Sequence, residues 1–344
     1  MSLCINNTFA HDIPIKNDDG IIIYYNYINE GTELEVVMNN SYQYYSVINI
    51  PSEVNLGETL RVTSIGEHAF FYCANLESVS IPTSVISIGV AAFEGCTSLS
   101  SIDIPNSVTS IGRNAFYGCK SLKTVTIPSS VSFIDEAAFY ECRGLSSVTI
   151  ENGLSFISNY CFSFCSGLSS VSLPNSIVSI GNNAFFECTN LPLCIIPNSV
   201  KTIGSYVFYG CKYLKEVVIG SGCEYIDYNV FGGCFYMEDV YCYAEIVPNT
   251  HDAVFGLSYV NYATLHAPEA SLQAYKSSNT WSKFADIVPL TESDPKPTGI
   301  VGHYNNTRSA IAYYSLDGKH LSAPRKGVNI IIMSDGSVLK KVIK

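Results

Sequence analysis

A spacing of 23 residues governs most of this chain. Cys73, Cys96, Cys119, Cys142, Cys165, Cys188, Cys211 and Cys234 stand 23 apart. Phe70, Phe93, Phe116, Phe139, Phe162, Phe185, Phe208 and Phe231 keep the same step, as do Ile65, Ile88, Ile111, Ile134, Ile157, Ile180, Ile203 and Ile226. Eight units share one register without an insertion. A strict period of this length marks a solenoid, because one short unit cannot bury its own apolar face and stacked units can.

One unit reads Leu76-x-x-Val79-x-Ile81-Pro82-x-Ser84-Val85-x-x-Ile88-Gly89-x-x-Ala92-Phe93-x-x-Cys96. The period-two alternation of Val79 and Ile81 predicts a strand. Pro82 ends it, since proline donates no ladder hydrogen bond. Gly89 suits a tight turn. The three-residue spacing of Phe93 and Cys96 predicts a short helical turn. Two units depart from the pattern. In the unit at 145–167, Glu151 replaces proline, Gly153 serine and Cys161 alanine, which predicts an altered turn in unchanged register. By 219–242 the pattern fades, with Gly220, Gly222 and Met237.

Composition narrows the chemistry. Hydrophobic residues make up 47% of the 344, too many for a disordered chain. The net charge of −11 argues against a nucleic-acid grip through a basic face. No apolar run approaches the roughly 20 residues of a membrane helix, so no membrane insertion is expected. Thirteen cysteines cannot all pair. No Cys-x-x-Cys occurs, and the six histidines lack ligand spacing, so no metal site is expected. Neighbouring turns would hold equivalent cysteines side by side with parallel Cα–Cβ bonds, a poor geometry for a disulfide. The expectation is an inward ladder of free thiols. Gly-x-Ser-x-Gly, Gly-x-Gly-x-x-Gly, P-loop and His-Glu-x-x-His motifs are missing from the sequence. No catalytic residue and no cofactor is therefore assigned.

The unit with its Ile-Pro, Ile-Gly, Ala-Phe and Cys resembles the BspA-like leucine-rich repeat of bacterial surface and secreted proteins. Where that repeat usually carries Asn after its strand, this chain has Ser84, Ser107, Ser130, Ser176 and Ser199. The resemblance implies an α/β-type, β-rich, right-handed leucine-rich-repeat solenoid of about eight units with caps. It also implies a non-enzymatic adhesion role outside the cell or on its surface, with a host or matrix protein or a glycan as partner. A monomer is expected. Met1-Ser2-Leu3 has neither the basic region nor the apolar run of a signal peptide. Under this reading a leader has been removed.

Five regions are expected. Residues 1–60 form an N-terminal β cap, including Tyr44-Tyr45-Ser46-Val47-Ile48. Residues 61–243 form the solenoid. Residues 244–290 resemble the family's closing segment, with a short helix and the single tryptophan, Trp281, plugging the core. Residues 291–299 are a linker by composition. Residues 300–344 form a small β module with turns at Asp317-Gly318 and Asp335-Gly336. This module resembles the C-terminal modules of exported proteins, some of which act in sorting.

Two surfaces are candidates for binding. The first is the outward face of the strands. One column runs Ser78, Ser101, Thr124, Ser147, Ser170, Leu193, Glu216; the next runs Ser80, Asp103, Thr126, Thr149, Ser172, Ile195, Val218, then Tyr241. The switch from hydroxyls to Leu193, Ile195, Glu216, Val218 and Tyr241 predicts an exposed apolar patch in need of a partner, or one covered by the closing segment. The second is the aromatic column before each cysteine, Phe71, Tyr117, Tyr140, Phe186 and Tyr209, which either binds or packs between turns. A scaffold or spacer without a ligand is the alternative function; a glycan-active enzyme is a distant third.

Overall fold

The computed structural model describes residues 13–38 and 46–297, together with the backbone of the strands Ala310–Ser315, His320–Leu321, Gly327–Met333 and Val338–Ile343. Cys4, Tyr44-Tyr45 and the expected turns Asp317-Gly318 and Asp335-Gly336 lie outside the described residues.

Within the repeat array each turn of chain pairs with the next at an offset equal to the sequence period, and beyond it the spacing loosens, Tyr225 pairing with Asn249 and Asp239 with Thr264. Thr124 lies opposite Ser147, Val125 opposite Val148 and Ile127 opposite Ile150, all in parallel register. The result is a β-rich solenoid of about ten stacked turns. A long ladder is made of two parallel sheets in succession, Thr124–Ile127, Ser147–Ile150 and Ser170–Ser172 in the first, and Leu193–Ile196, Glu216–Ile219, Asp239–Cys242, Thr264–Ala267 and Asp286–Pro289 in the second. A second ladder runs through the isoleucine column in two sheets, both parallel along that column, one ending at Phe133–Ile134 and the next containing Phe156–Ile157, Ser179–Ile180, Thr202–Ile203 and Tyr225–Ile226. The alternation is clear in Thr124–Ile127, where Val125 and Ile127 are buried while Thr124 and Thr126 are exposed.

The segment between isoleucine and cysteine is not helical. Alternate N–H groups reach the next turn: Phe93 N–H donates to Ala115 O at 2.7 Å and Gly95 N–H to Tyr117 O at 2.8 Å. The N–H groups between them close local turns, as Cys96 does on Phe93 O. Donors committed this way leave no i→i−4 ladder. The alternation requires left-handed residues four apart, such as Asn114 and Gly118, or Ala137 and Glu141. A non-glycine residue in that region costs roughly 1 kcal/mol, which the inter-turn bonds offset. Among the described residues the one α-helix is Leu272–Ser277, and the solenoid is β-rich with little helix.

The core is built from the repeating columns. The eight phenylalanines are fully buried and stack nearly parallel, from 5.0 Å between Phe70 and Phe93 to 5.7 Å between Phe208 and Phe231. The cysteines do more than fill space. Cys96 Sγ donates to Phe70 O at 3.1 Å, and Cys119, Cys142, Cys165, Cys188, Cys211 and Cys234 repeat the bond to the phenylalanine 26 residues earlier. Phe70 O also accepts Cys73 N–H at 3.1 Å, so both of its lone pairs are used. The altered unit keeps register: Glu151 Oε2 accepts Ser129 N–H at 3.0 Å, and a Cβ on Gly153 would come within 2.4 Å of Ser129 O.

The ends are closed differently. Ile13–Lys16, Ile22–Ile28 and Glu33–Val37 pair antiparallel, and the last of these pairs parallel with Thr59–Ile65. At the other end Phe255 extends the ring stack to an edge-on contact with Trp281 at 5.6 Å. Trp281 and Tyr275 are fully buried, and the Tyr275 hydroxyl donates to Ala244 O at 2.7 Å. Val301–Lys344 is a separate unit. Its described strands form one antiparallel sheet in the order His320–Leu321, Ala310–Ser315, Gly327–Met333, Val338–Ile343.

Candidate functional site

The register of the long ladder brings the first set of candidate residues together. Leu193, Glu216, Asp239 and Thr264 form one row; Ile195, Val218, Tyr241, His266 and Val288 form the next. Leu193, Ile195, Glu216 and Tyr241 are half-buried. Val218, read from sequence as outward and exposed, is 0% exposed. It sits between Ile195 and Tyr241 in the row, and the Tyr241 ring is held flat against His266 at 4.3 Å. Bulky neighbours on both sides cover a small β-branched side chain.

Residues 291–297 close this row at its far end. The Tyr243 hydroxyl donates to Pro295 O at 2.9 Å, the Lys296 ammonium lies 5.5 Å from the Tyr243 ring centre, and Pro297 is buried. His266 Nε2 lies 3.0 Å from Asp239 and its Nδ1 lies 3.8 Å from Asp294. Burial raises the Glu216 carboxyl above its ordinary value, and the like charges of Asp239 and Glu238 add to that. The earlier part of the face keeps its exposed hydroxyls at Thr124, Thr126 and Thr149.

The second set is also partly joined. Phe71, Tyr117, Tyr140, Phe186 and Tyr209 are all half-buried. Tyr117 stacks on Tyr140 at 5.0 Å and Phe186 on Tyr209 at 5.4 Å. Ser163 interrupts the column, and Phe164 bridges it, 5.3 Å from both Tyr140 and Phe186. Phe71 stands apart and packs on His68 and Tyr72. Burial raises the Tyr117 and Tyr140 hydroxyls, with Glu141 adding to it. These rings spend their faces on one another, as packing between turns requires.

A third surface escaped the sequence reading. Tyr213, Phe235, Tyr236 and Tyr259 are 52%, 41%, 55% and 55% exposed. Tyr213 stacks on Tyr236 at 5.3 Å, and Phe235 lies 5.9 Å from Tyr259. The rings form an apron on the turns that lead into Glu216–Ile219, Asp239–Cys242 and Thr264–Ala267. The signal was present: the place two residues after each ladder cysteine holds Asn75, Ser98, Ser121, Gly144, Gly167 and Asn190 before Tyr213 and Tyr236.

Among the described residues no group of three or more His, Cys, Asp or Glu side chains is placed to hold a metal ion, and no helix is long and apolar enough to cross a membrane. The arrangement offers stacking faces, hydroxyls and carboxylates, which is chemistry for contact.

Comparison with known proteins agrees with this architecture. The model of the BspA type leucine rich repeat region, six copies long, matches residues 63–192 and again 132–259, together more than half of the chain. A leucine-rich repeat protein from Bacteroides ovatus is similar in structure, with 26% identity and a TM-score of 0.56 over 78% of this chain and 75% of that one. A leucine rich cell surface protein from Faecalibacterium prausnitzii shares the fold at 21% identity and a TM-score of 0.55, over 82% of this chain and 96% of that one. No curated protein matches.

Proposed function

The chain belongs to the BspA type leucine rich repeat family, and on that premise we propose that it is a non-enzymatic adhesion protein, secreted or held at the cell surface, that grips a host or matrix protein. The observation that carries this reading is the apron of Tyr213, Phe235, Tyr236 and Tyr259. Four neighbouring aromatic rings, each more than two-fifths exposed, exceed what a solvated surface needs. Tyrosine and phenylalanine supply large, rigid contact area at low entropy cost, and such residues dominate binding energy at protein interfaces. The stacked core beneath holds the apron in a fixed shape, so little ordering cost is left to binding.

Location outside the cell is supported by the surface protein of similar fold and by the buried thiols, which are shielded from an oxidising environment. In this reading Val301–Lys344 serves export or attachment rather than recognition.

The test is capture of the purified chain by immobilised extracellular-matrix proteins, followed by surface plasmon resonance. Tyr213→Ser with Tyr236→Ser should lower affinity by about tenfold or more while the thermal midpoint stays unchanged. Equal capture by the variant would overturn the assignment. A spacer without a ligand draws on the burial of Val218 and the approach of Asp294 to His266 in the same row. It predicts no capture by any matrix protein.

A further inference from the structure

The second ladder carries a groove of about 560 Å³ on the opposite use of the same repeat. The outward place of each two-residue strand is Ser64, Ser87 and Ser110 in the first turns. It then becomes Phe133 and Phe156, returns to Ser179 and Thr202, and passes through Tyr225 to Asn249. Parallel register lines up Phe156, Ser179, Thr202 and Tyr225 in one row. The groove is thus a floor of small residues, Ser179, Gly181, Thr202 and Gly204, between aromatic walls at its two ends. Phe133, Phe156 and Tyr225 are 41%, 36% and 40% exposed. Phe156 and Tyr225 are three turns apart, about 14 Å at ~4.8 Å per turn.

One side of the groove is polar and already oriented. Asn159 Oδ1 accepts Asn182 N–H at 2.8 Å, and Asn182 Oδ1 accepts Ser205 N–H at 2.8 Å. Asn159 Nδ2 donates to Glu136 at 3.0 Å. Asp227 accepts the Tyr225 hydroxyl at 3.1 Å and Tyr228 N–H at 2.7 Å. Glycine is required in the floor: a Cβ on Gly204 would come within 2.5 Å of Asn182 Oδ1. Glu136 is paired with Arg113 at 2.9 Å, while Asp135 and Asp227 leave this side negative.

We propose that this groove binds a short neutral oligosaccharide. A sugar ring has apolar C–H faces and a rim of hydroxyls. The aromatic walls match the faces, and the carboxylates and amides match the rim, as in sites where a few placed polar groups fix a ligand against apolar walls. The low floor lets a chain of rings lie across three turns. Negative charge along one side disfavours sulfated, sialylated and uronic glycans. A polypeptide would need a desolvated apolar pocket for an anchoring side chain, and the floor of serine, threonine and glycine has none. The groove shares no residue with the Tyr213 apron, so this assignment and the adhesion reading can fail separately.

The test uses the full chain on a printed array of neutral oligosaccharides, including cellotetraose, xylotetraose, mannotetraose and maltotetraose, with sialylated and sulfated counterparts alongside. Calorimetric titration then follows with whichever neutral probe binds. Thr202→Arg, which fills the floor from an exposed position, and Tyr225→Ala, which removes one wall, should each weaken binding about tenfold or more. Both should keep the wild-type thermal midpoint, and Tyr213→Ser should bind as the wild type does. The proposal is overturned by no binding to any neutral oligosaccharide, by unchanged affinity in folded Thr202→Arg and Tyr225→Ala, or by preference for the anionic probes.

Discussion

Raising the pH should unfold this protein between about pH 9 and 10.5, because its core is lined with thiols that cannot ionise in place. Twelve cysteines among the described residues are free and buried. Burial pushes the thiols of Cys73, Cys142 and Cys223 up to about 12 and Cys242 to about 11. Cys119, Cys165, Cys194 and Cys211 are also raised well above the ordinary value of 9.0. Below about pH 9 both folded and unfolded chains keep these protons, and the thiols do not bear on stability. Above it the unfolded chain releases protons that the folded chain holds, so stability falls with rising pH until the folded thiols titrate in their turn. At about pH 10 each exposed thiol favours the unfolded chain by somewhat over 1 kcal/mol, and twelve together by about 15 kcal/mol. That matches or exceeds the usual 5–15 kcal/mol stability of a domain. Urea unfolding followed by circular dichroism, with a reductant present and the pH stepped upward, measures the slope directly. Replacing Cys119, Cys142, Cys165 and Cys188 with alanine removes four of the twelve, and the slope should fall by about a third. The reasoning is refuted if thiolate absorbance rises with a midpoint near 9 while the circular dichroism is unchanged, or if stability is flat to pH 10.5.

Three further outcomes are expected. Phe139→Ala opens a fully buried gap between Phe116 and Phe162 and should cost about 3–5 kcal/mol in urea unfolding, whereas Phe133→Ala on the surface should cost under about 1 kcal/mol. Val218→Asp places an unpaired charge in a fully buried site and should lower stability by about 3 kcal/mol or more, while Ile195→Asp beside it should be far milder; equal melting of the two would contradict the burial of Val218. Cys119 should react with a thiol reagent only after denaturation, which mass spectrometry of the labelled peptide reads out, and rapid native labelling would contradict the inward ladder.

The ladder, its register and its core columns were legible because each repeats eight times, so that a position's burial could be read from its period alone. The non-helical turn before each cysteine was not. Phe93 and Cys96 have helical spacing, but the fate of Phe93 N–H is decided by the carbonyl of Ala115 in the next turn, which a single unit does not contain. Val218 illustrates the same limit on the surface. Its outward place follows from alternation, yet its exposure is set by Ile195 and Tyr241, two strands that only stacking brings alongside. The apron and the groove both begin where a small residue in a repeating column gives way to an aromatic one, at Tyr213 and at Phe133. Departures from the period are the informative residues, in every column and not only in those of the strands.

Within the eight units the period equals the inter-strand offset, so the array behaves like lines of text that each start afresh. Deleting one residue inside a strand would turn the rest of that strand to the wrong face, whereas a longer turn is absorbed between strands, as where Asp239 pairs with Thr264 and the buried alternation resumes in Thr264–Ala267. Inserting or removing a whole 23-residue block would leave each remaining Phe, Cys and Ile opposite an equivalent partner. Length is then a free parameter, and the outward letters of each line can be rewritten without disturbing the binding of the pages. A lineage built on such a chain can explore new surfaces by copying and editing units, with the solenoid's interior indifferent to what is displayed.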